Sequence, residues 1–349
     1  MVIQLSGTGG FMKKYNVAVV GAGMVGKKMV EILFERNFPM ENLRILATHE
    51  REEEIAGRKF KIEKTEISSF DGIDIAFFAG TEGEKGASKL FGWEAVKKGC
   101  IVIDNGSDFR MDERVPLIIP EVNPEHLKNH QGFIANPNCS TIQMVMAVYP
   151  LYKEFKIKRI IVSTYQAVSG TGRKAVEELE KQVKSYAGGG EIEKNVYPHQ
   201  IFGNVIPEIG SLSDEFPGYF TEEVKMIKET RKILCEEKLK ISATCVRVPV
   251  FNGHSESITC EFEEEINIDR VKGILNEFPG IILMDKPEES FYPTPVFASG
   301  KDEVFVGRIR KNPAIENAVD MWVVSDNIRK GAALNTIQIA EKMIEENLI

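Results

Sequence analysis

The sequence lacks the features that would point to a membrane protein, a secreted protein or a nucleic-acid-binding protein. No apolar run approaches the ~20 residues that a membrane-spanning helix needs, and the N-terminus lacks the basic and apolar regions of a secretion signal. The five cysteines are odd in number, scattered and without C-x-x-C spacing, so we expect no disulfide framework and no metal site. The formal net charge of −8 argues against a basic nucleic-acid-binding surface. A cytoplasmic location is the default expectation.

The composition is that of an ordinary globular protein. Hydrophobic residues make up 43% of the chain and charged residues 28%. With 349 residues, the chain is long enough for two domains, each with its own core. We expect residues 1–12 to form a loose extension before the first strand.

A dinucleotide-binding fingerprint follows the first predicted strand. The apolar run 15–20 leads into GAGMVG at residues 21–26, and a helical pattern comes next. In such a motif the first glycine permits a tight turn, the second lets the backbone approach a pyrophosphate, and the third allows close packing of helix on strand. A glycine-rich turn without a ligand is the alternative. The residues expected to contact the cofactor here are Gly21, Gly23, Met24, Val25 and Gly26.

The tip of the next predicted strand bears on the choice of cofactor. Residues 43–47 read as this strand, and Thr48 and Arg51 follow it. These two side chains could hold a ribose 2′-phosphate, which favours NADP over NAD. Glu50 between them weakens this interpretation, and a merely solvated loop is the other possibility.

Two further apolar runs complete the first predicted domain. Residues 73–79 and 101–104 read as buried strands, with the helix-like segment 84–98 between them. Strand–helix–strand alternation with non-alternating apolar strands predicts a Rossmann-type, doubly wound parallel sheet. Arg110 follows in a Gly/Ser-containing loop, where it suits a phosphate or carboxylate. A surface ion pair is the alternative for this arginine.

The stretch FIANPNCSTI, residues 133–142, places a cysteine at a strand-to-helix corner. We expect a strand to end near residue 135 and a helix to run from residue 140 to 149, closed near Pro150. Cys139 would then lie beside the first unpaired amides of a helix, which favours the thiolate. An inert, buried cysteine remains the alternative.

After Cys139 the pattern changes to that of an α+β domain. Its predicted strands have β-branched or alternating residues, which favours a mainly antiparallel sheet. The predicted strands are 159–163, 244–250 and 257–262, and the predicted helices 172–186 and 222–237. A last amphipathic helix could return to pack on the first domain. The expected domains are 1–138 for NADP binding, 139–326 for catalysis and dimerisation, and 327–349 for the returning helix.

Several specific strings occur together in one order. They are NPNCSTI at 136–142, QAVSGTG at 166–172, RVPV at 247–250, GHSE at 253–256 and DNIRKGAALNT at 326–336. With the glycine-rich motif, they make the chain resemble the aspartate-β-semialdehyde dehydrogenase family over nearly its whole length. The resemblance implies a reversible conversion of L-aspartate 4-semialdehyde, phosphate and NADP⁺ into 4-phospho-L-aspartate and NADPH, in lysine, threonine and methionine biosynthesis.

The resemblance also implies roles for individual residues. Cys139 would be the nucleophile that forms an acyl-enzyme thioester. His254 would be the acid/base, which takes the thiol proton or protonates the aldehyde oxygen, and Gln166 would orient the acyl group. The implied substrate contacts are Arg110 and Lys225 to phosphate, Arg247 to the carboxylate, Glu222 to the amino group, and Asn138 in the turn that presents the cysteine. Further cofactor contacts would be Ser169, Gly170 and Asn327.

Geometry gives no independent support for the pairing of Arg247 with His254. In a regular hairpin across residues 251–253, alternation would put them on opposite faces of the sheet. Pro249 and Gly253 make a regular hairpin doubtful. Their convergence on one site is therefore implied by the resemblance alone.

Other activities are compatible with parts of the pattern. N-acetyl-γ-glutamyl-phosphate reductases share the domain plan, but their cysteine stretch usually reads NPGC. A malonyl-CoA reductase-type paralogue has nearly the same motifs, and a non-catalytic NADP-binding protein would keep the fold. The resemblance also implies a homodimer, or a tetramer, joined through the sheet of the second domain.

Overall fold

A computed structural model describes residues 13–80 and 83–349, so the extension expected at residues 1–12 lies outside the described part. The chain divides into two compact units. The first comprises Met1–Pro137 and Ala332–Ile349, and the second comprises Asn138–Gly331. None of the helices in the described ranges is long and apolar enough to cross a membrane.

The first unit is built on a seven-stranded sheet. Its strands are β1 (Tyr15–Val20), β2 (Met40–Ala47), β3 (Arg51–Ile55), β4 (Arg58–Lys64), β5 (Ile75–Phe78), β6 (Ile101–Asp104) and β7 (Phe133–Ala135). They lie in the order β3-β4-β2-β1-β5-β6-β7, and every neighbouring pair is parallel except β3 and β4. β5 is apolar and buried at every position, as a strand covered on both faces must be. The predicted doubly wound parallel sheet is confirmed.

Two helices follow strands of this sheet. They are α1 (Met24–Glu35) and α2 (Trp93–Lys97), the latter preceded by a π-helical turn, Ser88–Gly92. β1 pairs with β2 on one side and with β5 on the other, so the strand order reverses at β1. Open α/β sheets bind ligands outside the carboxyl ends of the strands at such a reversal. The glycine-rich stretch 21–26 lies there.

The edge of this sheet differs from the sequence-based expectation. β2 begins at Met40 rather than at residue 43, and Arg51 starts a strand instead of ending a loop. β3 and β4 form an antiparallel hairpin whose turn has positive φ at Ala56 and Gly57. The hairpin was not predicted because its strands are dominated by charged side chains, which edge strands tolerate and periodicity does not reveal.

The second unit contains a six-stranded mixed sheet. Its strands are β8 (Ile157–Gln166), β9 (Lys240–Arg247), β10 (His254–Phe262), β11 (Ile281–Leu283), β12 (Val304–Lys311) and β13 (Ala318–Ser325), in the order β11-β12-β13-β10-β8-β9. Three of the pairings are antiparallel, while β8–β9 and β11–β12 are parallel. The expectation of an α+β domain with a mainly antiparallel sheet is confirmed.

One face of this sheet is covered by helices and the other is more open. The helices of the unit are α3 (Cys139–Glu154), α4 (Arg173–Ala187), α5 (Thr221–Leu234), α6 (Ile268–Glu277) and α7 (Pro295–Ala298). Along β8, Ile160, Val162 and Thr164 are buried, whereas Ile161 and Tyr165 are 39% and 38% exposed. Because α3 contacts β10 and α5 contacts β9, the helices bury one set of alternating side chains.

Helix α3 does not end where the sequence suggested. The predicted closure near Pro150 is wrong, since the helix continues through this proline to Glu154. Proline removes one intrahelical hydrogen bond, but burial of the apolar side chains along α3, including Val148 and Leu151, outweighs that loss.

The last helix, α8 (Leu334–Glu345), belongs to the first unit. Its apolar face buries Ile337, Ala340 and Met343 in the core beside β1 and α1. Arg36, the residue that follows α1, pairs with Glu341 of α8 at 2.6 Å. The predicted return of the C-terminal helix to the first domain is confirmed.

Candidate active site

Cys139 is the first residue of α3 and is partly exposed. The preceding Asn138 has extended backbone and caps the helix, because its Oδ1 accepts from the amides of Ser140 at 3.0 Å and Thr141 at 3.3 Å. A Cβ at Gly331 would lie 2.8 Å from the Cβ of Cys139, so only glycine fits there without displacing the cysteine. The corner expected from the sequence therefore presents a thiol at a capped helix N-terminus.

Two buried carboxylates of α5 hold this corner. The backbone amide of Asn138 donates to Glu229 Oε2 at 2.7 Å, and its side-chain amide donates to Glu222 Oε1 at 2.9 Å. Gln166 Nε2 donates to the same Glu222 oxygen at 3.1 Å. Asn138 and Gln166 thus both bind Glu222, and all three residues were singled out from the sequence. Glu229 was missed, because a glutamate inside an amphipathic helix looks like any solvated charge.

Glu222 is ionised in this setting. Burial by itself raises the pKa of its carboxyl, but Lys225, the Asn138 and Gln166 amides and Arg247 together lower the pKa below its ordinary value. The Lys225 ammonium lies 3.6 Å from Glu222 Oε2. A fixed negative charge therefore lies beside the capped turn.

Arg247, Gln166 and His254 lie on the helix-covered face of the second sheet. Strand β8 separates β9 from β10, so the hairpin considered from the sequence does not form. Arg247 pairs with Gln166 in the parallel β8–β9 register. Ser255 pairs with Tyr165 in the antiparallel β8–β10 register, which places His254 next to Gln166. The three side chains consequently alternate to the same face on adjacent strands.

Gly170 shows how closely two of these groups approach each other. A Cβ built on this glycine would lie 3.0 Å from Arg247 Nη1 and 3.2 Å from His254 Nε2. The same Arg247 nitrogen donates to the carbonyl of Ala167 at 2.7 Å. The structure therefore brings Arg247 and His254 together, which the sequence could only suggest through resemblance.

The protonation of His254 follows from its contacts. The amide of Ala167 donates to Nδ1 at 3.0 Å, so the neutral ring carries its hydrogen on Nε2. Burial, reinforced by the Arg247 charge, lowers the pKa of His254 to about 3. Nε2 is fully buried and meets no hydrogen-bond partner in the part of the chain that the structure describes. The ring thus presents an unused N–H donor toward Gly170.

The loop after β8 is fixed by a polar network. Ser169 Oγ lies 3.0 Å from Asn252 Oδ1 and accepts from Asn327 Nδ2 at 2.9 Å. Asn327 Oδ1 accepts from the amide of Gly253 at 2.9 Å. Ser169, Gly170 and Asn327, all predicted cofactor contacts, therefore belong to one connected region of the second unit.

The glycine-rich stretch has the geometry that dinucleotide binding requires. Gly21 has φ of +106°, and a Cβ there would lie 2.6 Å from the carbonyl oxygen of Ala79. A Cβ on Gly26 would lie 1.7 Å from the Gly21 oxygen, whereas nothing lies within 4 Å of a Cβ on Gly23. Met24 and Val25 open α1, whose N-terminus has no capping side chain among the described residues. This helix end can accept a pyrophosphate.

Thr48 and Arg51 follow the carboxyl end of β2. Arg51 is 41% exposed at its side chain and pairs with Glu53 at 3.1 Å. Lys27 of α1 also pairs with Glu53. Two cations therefore flank one carboxylate beside the end of β2.

Arg110 is buried in the first unit, whereas Lys225 belongs to the second. The Arg110 guanidinium donates to the carbonyls of Asn136 at 2.9 Å and Asn105 at 2.8 Å. It therefore ties its own loop to the end of β7. Nearby, burial raises the pKa of Asp104 to about 6, although Ser88, the Gly106 amide and Arg110 oppose the rise.

Family models cover both units. The model of the NAD binding domain of semialdehyde dehydrogenase matches residues 16–130, and the model of its dimerisation domain matches residues 148–330. Aspartate-semialdehyde dehydrogenase of Aquifex aeolicus is 49% identical over 345 residues, which is 96% of this chain and 99% of the relative. The enzyme of Bacillus subtilis is 45% identical over 346 residues, with 96% and 99% covered.

Solved structures agree with these relatives. The crystal structure of aspartate semialdehyde dehydrogenase II from Vibrio cholerae has a TM-score of 0.90 and 40% identity, and covers 96% of this chain and 99% of its own. A second structure of that protein, at 39% identity, is described as complexed with ASA. With relatives this similar along both units, the chain belongs to the aspartate-semialdehyde dehydrogenase family.

Proposed function

We propose that this protein catalyses the reversible NADPH-dependent reductive dephosphorylation of 4-phospho-L-aspartate to L-aspartate 4-semialdehyde through a thioester on Cys139. One observation supports this proposal more strongly than any other. The capped turn that presents Cys139 is hydrogen-bonded through Glu222 to Gln166, which lies beside Arg247 and His254 on one sheet face. A nucleophile, an oriented amide, a cation and an N–H donor therefore belong to one connected site.

Acylation uses the position of the thiol. The Cys139 thiolate attacks the acyl carbon of the phosphorylated substrate, so that a carbon–sulfur bond forms, the carbon–oxygen bond to phosphate breaks, and phosphate leaves with the electron pair. We assign Arg110 and Lys225 to that phosphate, since both supply the cationic N–H donors that stabilise a dianion.

The amino-acid part of the substrate carries two charged groups, an α-carboxylate and an ammonium, and each needs a partner of opposite charge. We assign the α-carboxylate to Arg247, whose guanidinium is buried and directed toward Gly170. We assign the ammonium to the ionised Glu222. Asn138 and Gln166 hold that carboxylate in place, so its orientation is set before the substrate arrives.

Reduction depends on the Nε2–H of His254. When bound, NADPH supplies the hydride that reduces the thioester carbonyl. His254 donates a hydrogen bond to the oxygen on which negative charge develops, and collapse of the adduct expels the Cys139 thiolate and releases the aldehyde. Of the two roles implied for this histidine, donation to the oxygen fits the geometry better. Nε2 already carries hydrogen and so cannot take the thiol proton.

We assign NADP to the first unit through Gly21, Gly23, Met24, Val25, Gly26, Thr48 and Arg51. The close approach of Gly26 to Gly21 and the uncapped end of α1 support the pyrophosphate position. Ser169, Gly170 and Asn327 are assigned to the cofactor in the second unit. The match of residues 148–330 to a dimerisation domain supports a dimer, whereas a tetramer and a cytoplasmic location stay predictions.

The Arg51→Ala variant tests the 2′-phosphate contact. We expect KM for NADP to rise about 10-fold or more while KM for NAD changes little, because a charged hydrogen bond to phosphate contributes ~1.5–3 kcal/mol. Initial rates with each cofactor measure the effect. Lys97→Ala, which removes another exposed cation that pairs with a glutamate of the same unit, is the control. Equal weakening with NADP and NAD would remove Arg51 from the 2′-phosphate site.

The function itself is tested by following NADPH formation from L-aspartate 4-semialdehyde and NADP⁺. We expect formation to require phosphate, because phosphate is the nucleophile that releases the acyl group from Cys139. Succinic semialdehyde and N-acetylglutamate semialdehyde should react far more slowly, since each keeps a carboxylate but neither presents the free ammonium group that Glu222 would bind. Turnover that requires coenzyme A instead of phosphate would favour a malonyl-CoA reductase-type activity. Cofactor binding without turnover would favour a non-catalytic protein.

A further inference from the structure

Gln143 is a fully buried polar residue one helical turn beyond Cys139 on α3. Residues four apart lie on the same face of a helix, so the two side chains are one turn apart on one face of α3. The Gln143 amide nitrogen donates to the carbonyl of Val323 at 3.3 Å, and its oxygen accepts from Ser325 Oγ at 2.8 Å. One side chain therefore ties the start of α3 to the end of β13.

The end of β13 is the part of the sheet that holds His254. Ser325 pairs directly with His254 in the antiparallel register of β10 and β13, and both residues are fully buried. The connection thus runs from the turn of Cys139 through the Gln143 amide and Ser325 to the strand position opposite the histidine. Each of these residues belongs to the second unit.

We propose that Gln143 is a positioning residue that sets the separation between the Cys139 sulfur and His254 Nε2 without touching the substrate. The proposal rests on the proposed function, since it takes Cys139 as nucleophile and His254 as donor. In catalysis, a misplacement of 1 Å can cost about 100-fold in rate. An amide with two fixed partners is well suited to prevent such a shift, because buried hydrogen bonds have a narrow range of lengths.

The surroundings make a hydrogen-bonding side chain necessary at this position. The Glu256 carboxyl is fully buried two residues after His254 on the same face of β10. Burial raises the pKa of this carboxyl well above its ordinary value. An apolar residue at position 143 would leave the Ser325 hydroxyl and the Val323 carbonyl without this partner. Some loss of stability is therefore expected beside any loss of rate.

The test separates positioning from a merely structural role. For Gln143→Met, which keeps length and loses the hydrogen bonds, we expect kcat to fall about 10- to 100-fold while KM for the semialdehyde stays within about 2-fold. Ser325→Ala should also lower kcat, but by a smaller factor than Gln143→Met. Because both changes break one connection, their effects in the double variant should be less than additive. Rates are expressed per folded protein, as determined by thermal unfolding.

Gln182→Met is the matched control. Gln182 is also a buried glutamine of a helix, α4. Its amide nitrogen donates to the carbonyl of Glu193, and its amide oxygen accepts from the backbone amides of Ile201 and Phe202, all in the segment after the helix. The Gln182→Met variant should be less stable than the wild type but should have the same kcat. An unchanged kcat in Gln143→Met and Ser325→Ala would overturn the proposal, and so would additive effects or a rise in KM alone. Failure of the proposed function would instead appear as a wild-type protein without phosphate-dependent turnover.

Discussion

The Cys139→Ala variant should lose phosphate-dependent NADPH formation by a factor of at least about 10⁴, because no acyl-enzyme can form without the sulfur. The fold should survive. The helix cap uses the side chain of Asn138, and alanine keeps the Cβ that lies beside Gly331. Initial rates with L-aspartate 4-semialdehyde, together with far-ultraviolet circular dichroism, measure the two expectations.

Cys235→Ala is the control for this experiment. Cys235 is exposed at the C-terminal end of α5, and its replacement should leave the rate within about 2-fold. Mass spectrometry after iodoacetamide should show that substrate protects Cys139 and not Cys235 from alkylation. More than about 1% residual rate in Cys139→Ala would contradict a covalent mechanism at this residue.

The second large effect is expected at His254. His254→Asn should lower kcat about 10²- to 10³-fold, the usual cost of removing one donor to a developing oxyanion, with a small change in KM. Asparagine is too short to place an N–H where Nε2 lies. Glutamine is longer, so His254→Gln should recover about 10-fold of the loss. If the ring acted by taking a proton instead, the Asn and Gln variants would be equally slow.

The lowered pKa of His254 also predicts that the stability of the fold depends on pH. Its pKa is about 3 in the folded protein, whereas an unfolded histidine titrates near its ordinary value of about 6.5. Below that value the unfolded chain binds the proton and the native ring does not, so acidification favours unfolding. From about pH 8 to about pH 5 this residue alone should lower the free energy of unfolding by about 2 kcal/mol.

Urea unfolding at both pH values measures this contribution. His254→Asn should lack it, and His199→Asn, which removes an exposed histidine of the same unit, should keep it. The catalytic rate of the wild type should show no ionisation of His254 between about pH 5.5 and 8, because the ring is already neutral. If the catalytic rate instead changed with pH around 6.5, and this change disappeared in His254→Asn, the ring would titrate during turnover.

The local features of the site could be predicted from the sequence because they are set by neighbours along the chain. The strand β1, the glycine-rich turn and helix α1 follow one another within residues 15–35. The corner at Cys139 likewise depends on Asn138 and the next few residues. Short-range hydrogen bonds and steric limits suffice to define such elements.

The charged and helix-terminating positions were harder to predict. Pro150 was expected to end α3, yet burial along the helix keeps the chain helical to Glu154. The hairpin of β3 and β4 was not predicted, since its pairing comes from main-chain bonds and not from an apolar pattern. Glu229 and Gln143 carried no local signal, because their partners are distant in the sequence.

The sequence by itself determined the fold class, the strand-to-helix corner at Cys139 and the family, since each depends on residues that are close together in the chain. Only the tertiary structure decided that Arg247 and His254 lie on one face of the second sheet. That outcome requires β8 to lie between β9 and β10, and strand order is a choice among long-range pairings that local patterns do not encode. The tertiary structure also decided the tautomer of His254, because the amide of Ala167, 87 residues earlier, is what occupies Nδ1.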